Sequence, residues 1–134
     1  MGKTMQKIKI WNIFDEEKIE QGKMFPLEFE AQVDNGAVRV ILPSKIVEKL
    51  QLRPLGKTKV RYADMREAER DTVHGLVIEI LGRRTDCSAI IESNRTVPLI
   101  GQIVLEDLDL WIDSKNGKLI PNPESPDMPL LDEI

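Results

Sequence analysis

A single acidic residue, Asp34, stands where a segment of alternating apolar and polar residues ends, and Asn35-Gly36-Ala37 follows it. A carboxylate held at the end of a strand can take a proton from water and so act as a general base. The same residues also suit a plain β-hairpin, because Asn-Gly between two alternating segments is a strong signal for a tight turn. On this local sequence alone, an active-site acid and a turn residue are equally good interpretations of Asp34.

The segments on either side of Asp34 predict the elements that would hold it. Residues 27–33 alternate cleanly, as expected of a half-buried strand, and residues 38–42 alternate again after the turn. Pro43-Ser44 then opens a short helical pattern, since proline is well tolerated in a first helical turn. Asp34 therefore lies between two strands, the second of which leads into a helix.

The rest of the chain predicts several further short strands and one more helix. We expect a first strand around residues 8–12, a polar turn over 15–22, and a charged connection over 63–71 that is almost free of apolar residues. The remaining predicted elements are strands at 57–62, 72–81 and 86–92, a helix after Gly101, and a hairpin over 111–121 that turns at Asn116-Gly117. Many short strands with two short helices predict a mostly β, barrel-like or sandwich-like domain.

The ordered set of motifs resembles the retropepsin-like aspartic proteases, in particular the bacterial single-domain type. Val33-Asp34-Asn35-Gly36-Ala37 matches the first motif of that family, and the apolar-apolar-glycine Leu99-Ile100-Gly101 before a helix matches the second. Leu105-Glu106-Asp107-Leu108, Ile112-Asp113, Gly117 and Pro121-Asn122-Pro123 follow the way in which bacterial members continue. The resemblance covers about residues 25–123 and implies a closed β-barrel or sandwich subunit with one or two short helices.

The chemistry that this resemblance implies needs two carboxylates. In aspartic peptidases two aspartates lie so close that they share one proton; one takes a proton from water while the other polarises the peptide carbonyl group. Asp34-Asn35-Gly36 is the one Asp-x-Gly in this chain. We therefore expect a homodimer in which Asp34 of each copy supplies half of the pair, since a two-fold interface is the commonest oligomeric solution. Gly36 and Gly101 would let the backbone pass close to the pair.

Two positions depart from the family pattern. Asn35 stands where the family has threonine or serine, whose hydroxyl locks the two active-site loops together across the dimer axis. The resemblance also implies a β-hairpin flap over bound peptide at residues 62–73, with Tyr62, Ala63, Asp64 and Met65 as its substrate-binding part. Glycine is common near the tip of family flaps, whereas this one has Asp64-Met65-Arg66.

Two alternative functions remain open at the level of sequence. A catalytically impaired dimer of the same fold that only binds peptides or proteins is compatible with Asn35. Residues 38–60 also resemble the swapped-hairpin DNA-binding modules of bacterial transcription regulators, which are dimeric too. Against the regulator, residues 1–123 carry equal numbers of acidic and basic residues, so the body lacks the positive charge that drives phosphate binding.

Composition sets the remaining expectations. The length of 134 residues predicts one domain over 1–123, followed by an acidic, proline-rich tail over 124–134 that we expect to be extended or loosely attached. Cys87 is the only cysteine, and neither a metal site nor a cofactor is predicted. No apolar run approaches the ~18 residues of a membrane span. The predicted partners are thus a second copy and a peptide or protein substrate, without nucleic acid or membrane, and the predicted location is the cytoplasm.

Overall fold

Alternating apolar residues build the first two strands of the computed structural model, which describes residues 4–133. The strands β1 (Thr4–Asn12) and β2 (Leu27–Val33) are antiparallel, with Ile8 opposite Phe29. Ile8 and Ile10 point into the core, and Lys7 and Lys9, which alternate with them, stay in solvent, as period-two alternation requires. Residues 1–3 and 134, which belong to the predicted domain and tail, lie outside the described residues.

Nine strands and three short helices make up the described chain. After β1 and β2, the strands are β3 (Val40–Leu42), β4 (Arg53–Arg61), β5 (Glu67–Ile80), β6 (Arg83–Ile91), β7 (Leu99–Ile100), β8 (Leu110–Asp113) and β9 (Lys118–Pro121). The helices are α1 (Glu16–Glu20), which follows a 3₁₀ turn at Ile13–Asp15, α2 (Ser44–Leu50) and α3 (Gln102–Leu108). None of the helices described is long and apolar enough to cross a membrane.

Six of the strands close into a barrel. Seven strands are ordered β1-β2-β7-β3-β6-β5-β4, and β1 pairs with β5 as well, which joins the ring at its other end. The pairing of Ile10 with Ile78 belongs to this closing contact. Closure leaves few exposed sheet edges and encloses an aliphatic core, with Leu42, Leu76 and Ile100 fully buried. The mostly β, closed fold predicted from the sequence is confirmed.

The strand β4 lies outside the ring and forms a long hairpin with the first half of β5. Oppositely charged residues face each other along it: Lys57 is opposite Asp71, Lys59 is opposite Glu69, and Arg61 is opposite Glu67. Such cross-strand pairs stabilise an antiparallel ladder that has water on both faces. The sequence prediction of a charged connection over 63–71 is therefore wrong for 67–71, which continue as strand.

Three other expectations need correction. The segment predicted as a polar turn at 15–22 contains α1, which begins with Glu16 and Glu17, acidic residues that suit the positive end of a helix. The strand after Asp34 begins only at Val40. The first strand, expected around residues 8–12, already begins at Thr4, and its Trp11 is buried beside β5, where it forms a hydrogen bond with Glu16.

Candidate active site

Asp34 is positioned by the strand β7, which lies between β2 and β3, the strands that precede and follow Asp34 in sequence. The strand β7 runs parallel to β2, with Val33 opposite Ile100, and antiparallel to β3, with Ile41 opposite Leu99. Because β7 separates β2 from β3, the two segments that flank Asp34 do not form a hairpin with each other. The plain-hairpin interpretation of Asn-Gly is therefore wrong, although the chain does turn here.

The turn fixes the Asp34 side chain and leaves it accessible. The Gly36 amide donates a hydrogen bond to Asp34 Oδ1 at 2.9 Å, and the Ala37 amide donates to the Asp34 carbonyl at 3.2 Å. The Asp34 amide in turn donates to the Ile100 carbonyl at 3.0 Å. Asp34 is half-buried, while Asn35 and Gly36 are exposed. One carboxylate oxygen is thus held by the backbone of its own turn, an arrangement that suits a group that exchanges protons with a bound reactant.

The second motif packs directly against this turn. Leu99 and Ile100 are buried, and the amides of Gln102 and Ile103 donate to the carbonyl groups of Ala37 and Val38 at 2.8 and 3.0 Å. These bonds satisfy first-turn amides of α3, which otherwise lack partners within the helix. The structure thus brings together all seven residues predicted at the core of the site, namely Asp34, Asn35, Gly36, Ala37, Leu99, Ile100 and Gly101.

Asn35 faces a broad groove, which we call the α3 groove. It has a volume of about 760 Å³ and lies between the Asp34 turn, α3, β8 and the terminal residues 130–133. Ile103 and Trp111 on its wall are both about half exposed. Within residues 4–133 the Asn35 side chain has no hydrogen-bond partner. The residue that departs from the family pattern is therefore exposed at the edge of this groove.

The four predicted flap residues lie together at the tip of the β4–β5 hairpin. The Tyr62 amide donates to the Arg66 carbonyl at 2.9 Å, and the Met65 amide donates to the Tyr62 carbonyl at 2.9 Å, which closes the tip. Met65 adopts a left-handed backbone with φ of 69° and is 68% exposed. Ala63 and Asp64 complete the tip, and Asp64 accepts a hydrogen bond from the Arg66 amide at 3.0 Å. The hydrogen bonds of this tip stay within the hairpin or reach Glu92, and none among the described residues reaches the Asp34 turn.

A cluster of polar side chains that the sequence analysis missed holds the hairpin to the barrel. The Tyr62 hydroxyl donates to the Glu92 carboxylate at 2.8 Å, and Arg70 Nε donates to Glu92 Oε1 at 2.7 Å. The Glu92 side chain is only 14% exposed. Arg95 follows on the next loop and donates to Gln32 Oε1 at 3.0 Å, on the strand that leads to Asp34. The Arg95 amide also donates to the Glu92 carbonyl at 3.2 Å, so a continuous set of contacts runs from the hairpin tip to β2.

Electrostatics in this cluster favour the charged form of Glu92. Burial acts to raise the pKa of Glu92, but the hydrogen bonds from Arg70 and Tyr62 outweigh it and hold that pKa below its usual range. Burial, together with the neighbouring Glu92 carboxylate, raises the pKa of the Tyr62 hydroxyl. Arg70 lies in the segment predicted as a charged connection, and no sequence pattern signals its contact with Glu92, 22 positions away.

No group of three or more His, Cys, Asp or Glu residues suited to bind a metal ion occurs within 4–133. The residues proposed for a DNA-binding module, 38–60, are divided between β3, which lies inside the barrel between β7 and β6, and β4, which pairs with β5 outside the ring. They do not form a separate hairpin module.

Known proteins support the fold by structural similarity and not by sequence similarity. No protein-family model matches the chain, and no curated protein matches it in sequence. Among solved structures, the EIAV protease complexed with the inhibitor HBY-793 is 17% identical, with a TM-score of 0.56, over 79% of this chain and 88% of that one. The simian foamy virus (mac) protease is 16% identical, with a TM-score of 0.50, over 75% of this chain and 90% of that one. The chain therefore has a retropepsin-like fold.

Proposed function

We propose that this chain is an aspartic endopeptidase that acts as a homodimer. Asp34 of each copy would supply one carboxylate, and the pair would hold one shared proton. The ionised carboxylate would accept a proton from water as the water attacks the peptide carbonyl carbon, while the protonated partner would donate a hydrogen bond to the carbonyl oxygen. The amine then leaves after the same pair returns a proton to the nitrogen.

One observation carries this proposal: Asp34 lies on an exposed turn that β7 and α3 hold in place from both sides. The backbone contacts from Gly36, Ile100 and Gln102 fix the turn, so the Asp34 carboxylate is already in position before substrate binds. A single chain has one such carboxylate, and the exposure of Asn35 and Gly36 leaves the turn open to a second copy. The retropepsin-like fold supports the same conclusion.

The alternative is a dimer of this fold that binds peptide without cleaving it. The exposed amide of Asn35, in place of a hydroxyl group, favours this alternative, because an amide is longer and its hydrogen-bond geometry differs. Membership of the bacterial single-domain group and a location in the cytoplasm stay predictions.

Cleavage of a diverse peptide library at acidic pH tests the function. We expect wild-type protein to cleave and Asp34→Asn to be inactive, whereas Asp127→Asn, on the exposed C-terminal segment, should retain full activity. Adding excess Asp34→Asn subunits to wild type should suppress activity in mixed dimers, because each mixed pair keeps one carboxyl group. A dimer in sedimentation that binds peptides but cleaves none would instead select the binding function, and activity in Asp34→Asn would refute the catalytic role.

A further inference from the structure

A cleft opens between the chain segment that follows Asp34 and the stem of the β4–β5 hairpin. Its volume is about 210 Å³. Arg39 and Ser88 line one side, and the hairpin residues 55–58 with Thr72 line the other. We call it the Arg39 cleft.

Both ionisable side chains that line the Arg39 cleft are cations. Arg39 Nη1 donates to the neutral Ser88 hydroxyl at 3.0 Å, and within residues 4–133 the guanidinium forms no ion pair with a carboxylate. Lys57 Nζ lies 3.6 Å from Asp71, but both side chains are about two thirds exposed, so water screens this contact strongly. Asp71 itself lines the neighbouring cavity. Arg39 thus brings to the cleft a positive charge that no ion pair within residues 4–133 neutralises.

The backbone places this positive charge next to the candidate catalytic turn. Arg39 is the second residue after the turn formed by residues 34–37, and the carbonyl groups of Ala37 and Val38 are fixed by the first turn of α3. Val38, between the turn and Arg39, is 62% exposed. An extended peptide that lies against Val38 beside Asp34 would therefore bring one of its side chains to Arg39.

We propose that Arg39 selects an acidic side chain in the bound peptide. A guanidinium binds a carboxylate through two parallel hydrogen bonds, and this geometry distinguishes Glu or Asp from the neutral amides. The hydroxyl groups of Thr58, Thr72 and Ser88 add neutral hydrogen-bonding groups around the carboxylate. This specificity rests on the proposed function, since it assigns the cleft to the peptide site of a peptidase or of a peptide-binding dimer.

Peptides that differ only in Glu or Gln, scanned position by position, test the proposal in two ways. Cleavage is measured with wild type, and binding of labelled peptides is measured with Asp34→Asn by fluorescence polarisation. We expect a preference for Glu of about tenfold at one position, which salt reduces. Arg39→Gln should abolish the preference and Arg39→Glu should reverse it toward Lys, whereas Lys18→Gln, an exposed cation on α1, should leave it unchanged. Thermal melts of each variant exclude unfolding as the cause.

The two readouts separate this proposal from the proposed function. Cleavage without a preference for Glu, or a preference that survives in Arg39→Gln, would overturn the role of Arg39 and leave the peptidase function intact. Binding that prefers Glu and depends on Arg39, without cleavage, would support the role of Arg39 and refute the peptidase function. Neither binding nor cleavage of any peptide would overturn both.

Discussion

Gly101 lies so close to Ala37 that a Cβ atom on Gly101 would come within 2.8 Å of the Ala37 carbonyl oxygen and 2.5 Å of the Arg39 carbonyl oxygen. The φ of Gly101 is −98°, a conformation that any residue adopts, so the requirement for glycine here is one of space. The contact presses the start of α3 onto the segment that follows Asp34. It therefore joins the two sequence motifs into one site.

Replacing Gly101 with alanine should destabilise the fold by about 3 kcal/mol, the upper end of the usual cost of overpacking, because the contacting atoms are backbone and cannot rotate away. Chemical denaturation monitored by circular dichroism measures this. Gly22→Ala is a suitable control, since its Cβ would lie in open space and only its φ of 73° is unfavourable, which costs about 1 kcal/mol. Equal losses in the two variants would show that the close approach at Gly101 contributes nothing.

Because of the Glu92 cluster, we expect part of the free energy of unfolding to depend on pH. Because the pKa of Glu92 is lower in the folded protein than in the unfolded chain, its charged form stabilises the fold above an unfolded pKa of about 4.3, and this contribution is lost as pH falls through the folded value. Glu92→Gln should therefore cost about 1 kcal/mol at pH 7 and almost nothing at the acidic end of the range.

Glu67→Gln provides the matched control for Glu92→Gln. Its ion pair with Arg61 at 2.9 Å is exposed on both sides, so its loss should change the free energy of unfolding by no more than ~0.5 kcal/mol. Urea denaturation of both variants at pH 7 and pH 3.5 makes the comparison. A cost for Glu92→Gln that is the same at both pH values would contradict the assignment.

The C-terminal segment, residues 122–133, is held to the barrel by hydrogen bonds. Its prolines led us to expect a loosely attached tail. Asp109 accepts hydrogen bonds from Ser125 Oγ, from Asn122 Nδ2 at 3.1 Å and from the Leu130 amide at 3.1 Å. The buried Arg83 guanidinium donates to the Leu108 carbonyl at 2.9 Å and to the Ser125 carbonyl. The segment forms no helix or strand over 122–133, but it is anchored at both Asp109 and Arg83.

Asp109→Asn should loosen this segment without disturbing the backbone, because asparagine tolerates the left-handed φ of 53° at this position. Hydrogen bonds from Ser125, Asn122 and Leu130 hold the pKa of Asp109 below its usual range, so anchoring should also weaken as pH falls below about 4. Hydrogen exchange of peptides covering 122–133 measures both effects. Asp113→Asn, whose carboxylate holds only the β8–β9 turn, should leave that exchange unchanged, and unaltered protection in Asp109→Asn would refute the anchor.

The spacing of apolar residues along the chain correctly predicted the helices and strands whose residues contact the same surroundings as their neighbours in sequence. The strand β2 has the predicted bounds, the helices after Pro43 and Gly101 are confirmed, and so is the closing hairpin at Asn116-Gly117. The β4–β5 ladder was underestimated because its stabilising contacts are charge pairs between strands, which a window along the chain cannot detect.

The residues of the candidate site likewise fall into those that the sequence predicted and those that it did not. The motifs around Asp34 and Gly101 are visible in the sequence because each is contiguous, although their contact depends on the insertion of β7 between β2 and β3. Glu92 and Arg70, or Arg39 and the hairpin stem, are brought together only by the closed barrel. Nothing in their local sequence distinguishes them from ordinary surface charges.

Cys87 provides the last prediction, because its environment should make the thiol unreactive. Burial, with the negative charges of Asp86 and then Asp107, raises the pKa of Cys87 to about 12, although Arg39 acts in the opposite direction. The thiolate is the reactive form, so alkylation by iodoacetamide at pH 8 should be about 10³-fold slower in the folded protein than in guanidinium, where the pKa is near 8.5. Asp86→Asn should accelerate the reaction in the folded protein, whereas Asp15→Asn, on the 3₁₀ turn, should not. Alkylation at the same rate in folded and denatured protein would contradict the shielded thiol.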